Sequence, residues 1–156
     1  MKIEYICPLI TVNDILKSKE FYMNILKQEV ELDHGENIAF KSGLAIHDKN
    51  HFQKLTGKQI EGESRNNMEL YFQSDDIDNL EEVLESFNVE FIHKIIEQPW
   101  GQRVMRFYDP DDYIIEIGEP IEVVIKRFAA QGLVTEEISE KSSMPVEYVK
   151  MVLNLE

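Results

Sequence analysis

Cysteine is nearly absent from this chain: among 156 residues there is one, Cys7. A single thiol excludes any internal disulfide and suits a reducing, cytoplasmic compartment. Positive charge is scarce as well, with 16 Lys and Arg against 30 Asp and Glu, a formal net charge of −14. Such an acidic surface repels phosphate backbones and anionic bilayers, which argues against nucleic-acid and membrane partners. Long hydrophobic runs are missing: no segment approaches the roughly 20 apolar residues that cross a bilayer. The N-terminal stretch is interrupted by Glu4 and Pro8 and is followed by no small-residue cleavage site, so no signal peptide is expected. The 43% apolar and 29% charged content is that of an ordinary globular protein, expected as one domain or two small modules sharing a core.

What the chain does contain is a partial duplication. Residues 5–15 read as a strand running into a helix, and residues 68–77 read the same way. The offset that carries Asp14-Ile15 onto Asp76-Ile77 also carries Cys7 onto Glu69. A chain of two alike halves tends to place its site on the pseudo-twofold axis between them, and this is where a cavity is expected.

In the first half a strand is expected over residues 2–12, with Asn13 or Asp14 capping a helix that reaches about Leu26. Short strands follow at 29–33, 38–41 and 44–47, then a polar connector over 48–66 with a helical turn near 52–55. In the second half strands are expected at 68–74, 89–96, 103–108 and 113–117, with a helix at 77–87. The plan is βαβββ twice: an α+β fold of two modules, about 3–47 and 68–119, forming a cupped mixed sheet with helices outside. Residues 120–156 form a separate helical extension. It has helices at about 121–131, from Thr135 as a cap, and from Pro145 to about 155, with Gly132 as a C-cap. Its faint helix-turn-helix spacing is set against Glu136, Glu137, Glu140 and Glu147, which disfavour DNA; packing on the core or on a second subunit is the plainer reading.

Several of these residues also carry a family pattern. The opening Thr11-Val12-Asn13-Asp14 leading to Lys19-Glu20-Phe21-Tyr22, and the closing residues 107–117 around Asp109-Pro110-Asp111-Asp112, resemble the vicinal oxygen chelate superfamily over roughly residues 3–119. This is the group of glyoxalase I, fosfomycin-resistance proteins, extradiol dioxygenases and bleomycin-binding proteins. Pro99-Trp100-Gly101-Gln102-Arg103 resembles the corresponding loop of small glyoxalase-like or bleomycin-resistance-like bacterial proteins.

The resemblance implies one divalent metal (Zn, Ni, Co, Mn or Fe), a metal-free pocket being the alternative, and a homodimer. Enzymes of the superfamily take metal ligands from the first and last strand of each module. Those positions here are Cys7, His47, Glu69 and Glu116. Glyoxalase I carries His or Gln, Glu, His and Glu in that order, so only Glu116 matches as it stands.

Read on their own chemistry, thiolate, imidazole and carboxylate are all competent ligands, and Glu69 or Glu116 can serve as a proton-moving base. The plainer readings are a buried Cys7, a hydrogen-bonded His47 at a rim, and carboxylates paired on a polar face. Trp100 offers a flat apolar wall and Arg103 a cation, with Tyr71 and His93 as further substrate contacts. The alternative is that Trp100 plugs the end of the sheet and Arg103 pairs with a surface acid. His34 and His51 are expected in solvated turns, and Asp75, Asp76 and Asp78 as helix-start acids.

Two functions stand nearly level: a metal-dependent lyase or isomerase of the glyoxalase type on a small oxygenated metabolite, and a non-catalytic small-molecule-binding protein of the bleomycin-resistance type. Fosfomycin-type thiol transfer lacks its His-rich ligand set and a basic cradle. An extradiol dioxygenase wants two His where only His47 is on offer.

Overall fold

The computed structural model describes residues 2–60 and 67–155. The chain divides into two compact units, one built on residues up to Asn67 together with Asp109–Tyr113, the other on Met68–Tyr108 and the residues from Ile114 onward.

The first unit runs β1 (Leu9–Val12), α1 (Ile15–Asn24), β2 (Val30–Asp33), β3 (Asn37–Phe40), β4 (Ala45–Asp48) and α2 (Lys49–Thr56). Its sheet has the order β1-β4-β3-β2, with β1 parallel to β4 and the other pairs antiparallel. The strand expected over residues 2–12 is reduced to four residues, because β4, its partner, is itself four residues long. The last rung is Ala45 N–H to the Pro8 carbonyl at 3.1 Å, and Ile3, Tyr5 and Ile6 beyond it are exposed.

Asp14 caps α1 by accepting from the N–H groups of Leu16 and Lys17, both at 3.1 Å. Strand alternation then sends Ile10, Val12, Ile38, Phe40 and Ile46 into a core with Phe21 and Tyr22 of α1. The polar connector holds a full helix, α2, rather than one turn. Asp48 caps its start and Gly57, at φ +68°, ends it in the left-handed conformation. Residues 61–66 of the expected connector lie outside the described residues.

Residues 109–113 of the closing motif also belong to this unit. Asp111 accepts from Asn13 N–H at 2.7 Å, Asn13 Nδ2 at 2.8 Å and Ser18 Oγ at 2.7 Å. Asp109 accepts from the Tyr22 hydroxyl at 2.7 Å and, with its other oxygen, from the N–H groups of Asp111 and Tyr113 at 2.8 and 2.9 Å. Burial raises the Asp109 carboxyl above its ordinary range in spite of these donors. Burial, and then the charge of Asp109, raises Tyr22 well above the ordinary phenol value.

The second unit repeats the plan with β5 (Glu69–Gln73), α3 (Ile77–Ser86), β6 (Phe91–Glu97), β7 (Arg103–Tyr108) and β8 (Ile114–Gly118). Its sheet order is β5-β8-β7-β6, again with first and last strands parallel and the rest antiparallel. Two βαβββ modules of α+β type are therefore present. Three helices follow: α4 (Ile121–Ala130), α5 (Thr135–Ser142) and α6 (Val146–Leu153). They share a cluster of Val124, Ile125, Phe128, Ile138 and Val149, all fully buried. The cap of α5 is Val134 rather than Thr135, and the Glu137 carboxylate reaches back to accept from the Val134 N–H at 3.0 Å. Gln131 ends α4, and Gly132 at φ +89° follows it.

Candidate functional site

The second sheet has one apolar and one polar face. Leu70 and Phe72 of β5, Ile115 and Ile117 of β8, and Met105 and Phe107 of β7 alternate onto the first. Glu69, Tyr71, Gln73, Glu116 and Arg106 alternate onto the second. The ladder sets Tyr71 beside Glu116, and Glu116 opposite Arg106. His93 of β6 lies opposite Arg106 on the far side, next to a bulge.

Arg106 gathers this face. Its Nε donates to Glu69 Oε2 at 2.9 Å, and its Nη1 meets His93 Nε2 at 3.2 Å. Its Nη2 forms an ion pair with Glu116 Oε2. Glu116 is 8% exposed, so the guanidinium answers a carboxylate that water scarcely reaches. His93 Nδ1 lies 2.8 Å from the Lys94 carbonyl, where only N–H can serve. Nε2 is therefore the lone-pair side and accepts from Arg106. Three of the residues singled out from sequence, Glu69, Glu116 and His93, are thus brought together by a fourth that was not.

A second polar chain adjoins it. The Trp100 indole N–H, which can only donate, bonds Gln102 Oε1 at 3.0 Å. Gln102 Nε2 then donates to the Tyr71 hydroxyl at 2.9 Å and to the Glu119 carbonyl at 2.7 Å. Gln73 Nε2 also donates to Tyr71 Oη, at 3.0 Å. Gly118 leaves the room this requires: a Cβ there would stand 2.9 Å from both Gln102 Nε2 and Tyr71 Oη. Trp100 keeps 41% of its surface exposed.

Arg103 is otherwise engaged. Its Nε and Nη2 hold Glu119 Oε1 at 2.8 and 2.7 Å, and its Nη1 holds both Asp78 oxygens at 3.0 Å. Burial pushes the Glu119 carboxyl up, but the hydrogen bonds from Arg103 and the charges of Arg103 and Arg127 outweigh it and hold the group below its ordinary range. Asp76 caps α3 and Asp78 lies in its first turn.

In the first unit, His47 is buried on the face of Thr11 and Ala45, away from the apolar core. Its Nδ1 lies 3.2 Å from Asn37 Nδ2 and its Nε2 2.9 Å from His51 Nδ1. His51, expected in a solvated turn, stands in the first turn of α2 against it. Burial, and then the charge of His51, lowers the His47 pKa from the ordinary 6.5. Cys7 is a partly buried free thiol ahead of β1. The ladders also refine the duplication. Leu9 pairs with Ala45, whereas Tyr71, the counterpart of Leu9 in the repeat, pairs with Glu116. By register the counterpart of Glu116 is therefore Ala45, and that of His47 is Gly118.

A divalent ion needs several lone pairs free to converge on one point. Glu69 and Glu116 both turn an oxygen to Arg106, His93 spends its lone pair on the same group, and both ring nitrogens of His47 have neighbours. Among the described residues no three His, Cys, Asp or Glu side chains form a metal-holding group. The residues present do not fit the metal that the superfamily implies; on the polar face of the second sheet the cationic place is taken by Arg106.

Residues 5–122 match the glyoxalase-like domain model. The chain belongs to this glyoxalase-like family, within the vicinal oxygen chelate superfamily. It is 30% identical over 120 residues to the uncharacterized protein YraH of Bacillus subtilis strain 168, covering 68% of this chain and 90% of that one. A protein of unknown function from Agrobacterium tumefaciens C58 has a similar solved structure, with TM-score 0.69 and 36% identity, covering 77% of this chain and 96% of that one. A glyoxalase/bleomycin resistance protein/dioxygenase from Nocardioides shares the fold at TM-score 0.62 and 21% identity, over 76% of this chain and 85% of that one. No helix among the described residues is long and apolar enough to cross a membrane.

Proposed function

We propose that this chain binds a small molecule on the polar face of the second sheet without using a metal, in the manner of the bleomycin-resistance-like members of its family. The observation that carries the reading is Arg106 set between Glu69 and Glu116. Two carboxylates against one guanidinium leave this face with one excess negative charge when His93 is neutral, on a chain of net charge −14. A ligand that is basic or rich in hydrogen-bond donors, with an aromatic part to lie on Trp100, complements it. Tyr71, Gln73 and Gln102 supply directional polar contacts. Arg103 acts in this reading as an anchor for Glu119 rather than as a ligand contact.

Metal-free bleomycin is a suitable first probe, being both basic and aromatic. Calorimetric titration is expected to show binding that chelator does not change and that falls about tenfold or more in Trp100→Ala. Binding that requires added metal would overturn the reading.

The second reading is a lyase of the glyoxalase type, favoured by Glu116, the one residue matching the glyoxalase I pattern, standing buried beside Glu69. Lactoylglutathione formation that is abolished in Glu116→Gln would establish it in place of the first.

A further inference from the structure

We infer that the C-terminal helices, which lie almost wholly beyond the family match ending at residue 122, serve as a positioning element for the Trp100 loop, with Arg127 and Phe128 as its positioning residues. The inference deepens the proposed ligand face and rests on it for the consequence to binding, though not for the geometry.

A cluster of three short helices is too small to be stable by itself and must lean on a larger body. Helix α4 provides the contact. Arg127 Nη1 bonds Glu97 Oε2 at the end of β6 at 3.1 Å, and Nη2 bonds Glu119 Oε2 just after β8 at 3.1 Å. Nη2 also donates to the Gly101 carbonyl. One guanidinium thus ties the end of β6 and the end of β8 to the tip of the β6–β7 hairpin.

Phe128, fully buried, packs against the same residue: a Cβ on Gly101 would overlap the ring, with Cε2 2.6 Å away. Gly101 adopts φ +83°, which glycine tolerates without strain, and it has no side chain to keep the ring out. Helix α5 completes the seat, with Lys141 Nζ 4.2 Å from the centre of the Phe128 ring.

Gly101 lies between the two residues that matter for the face. The turn is closed by Gly101 N–H to the Gln98 carbonyl and Gln98 N–H to the Gln102 carbonyl, both 2.8 Å. Gly101 is held by Arg127 and Phe128, and of its two neighbours Trp100 bonds Gln102, which in turn bonds the Tyr71 hydroxyl. An exposed hairpin tip without such a seat would sample many positions. The helices therefore fix where the aromatic wall stands, although none of their residues needs to touch the ligand.

The chain has one tryptophan, so its fluorescence reports this loop alone and requires no ligand. In full-length Phe128→Ala and Arg127→Gln, Trp100 anisotropy is expected to fall and the iodide quenching constant to rise at least about twofold. Circular dichroism and thermal melting establish that each variant is folded. Glu122→Ala, which removes the acceptor of the Tyr148 hydroxyl between α4 and α6 without touching Gly101, is expected to leave Trp100 unchanged. Should Phe128→Ala fail to fold, Arg127→Gln, at a residue outside the fully buried helix cluster, carries the test. Wild-type anisotropy and quenching in a folded Arg127→Gln or Phe128→Ala would overturn the inference. A loosened Trp100 with unchanged bleomycin affinity would support the positioning and overturn the ligand reading instead.

Discussion

At the scale of single residues, the pairing of Arg106 with Glu116 decides how the polar face behaves. A carboxylate 8% exposed depends on its partner guanidinium, itself partly open to water. Arg106→Met is expected to cost about 2–3 kcal/mol in urea denaturation by stranding Glu116, and adding Glu116→Gln is expected to recover much of it. Equal stability of wild type and Arg106→Met would show the pair to be inert. The candidates Glu69, Tyr71, His93 and Glu116 came from strand alternation and family pattern. Arg106 did not, because an arginine on a strand reads as solvent-facing. A signal for it existed: closing the 109–113 turn with Tyr108 opposite Ile114 puts Arg106 opposite Glu116.

His47 supplies a pH test at the same scale. Its folded value is depressed, so below 6.5 the folded chain binds fewer protons here than the unfolded chain. The stability tied to its neutral form is complete above 6.5 and declines as pH falls through the window beneath. Asp48 and Glu36 oppose the shift, while His51 adds to it. As pH falls below 6.5, wild type is expected to lose more stability than His47→Gln. Parallel melting curves for the two would contradict this.

Among the elements, the 109–113 turn does the most with the fewest residues. Asp111 collects three hydrogen bonds from the start of α1, from residues 93 to 98 positions away. Asp111→Ala leaves those donors unmatched and is expected to cost about 2–3 kcal/mol, read as a lower denaturation midpoint with unchanged slope. An unaltered midpoint would mean the turn is not what holds α1. Sequence made the motif visible as a pattern but hid this work, since the partners are so distant. Most strands stood where period-2 alternation put them. The exceptions have physical causes: β1 is cut short by the length of β4, and α2 is helical because Asp48 and Gly57 bracket a segment with little apolar stripe of its own.

Over the whole chain, the duplication is real as topology, with the same strand order and the same parallel closing pair in each unit. Both α1 and α3 are capped by aspartates at equivalent positions of the repeat, Asp14 and Asp76. The ligand pattern does not follow the topology, since the ladder counterpart of Glu116 is Ala45. Residue identity drifts while backbone order persists, so the fold was legible from a weak repeat and the chemistry was not. The tail was legible as helices, but its seat depends on Phe128 of α4 meeting Gly101 in the β6–β7 turn, a contact that no local pattern announces.

The central claim is that Arg106, not a divalent ion, sits with Glu69 and Glu116. It is tested most directly by elemental analysis of purified untagged protein after incubation with Zn, Ni, Co, Mn and Fe(II) and desalting. The expected result is far less than one retained metal per chain under every condition, and no difference between wild type and Glu116→Gln. About one metal per chain in wild type, lost in Glu116→Gln, would contradict the claim and make the polar face a metal centre.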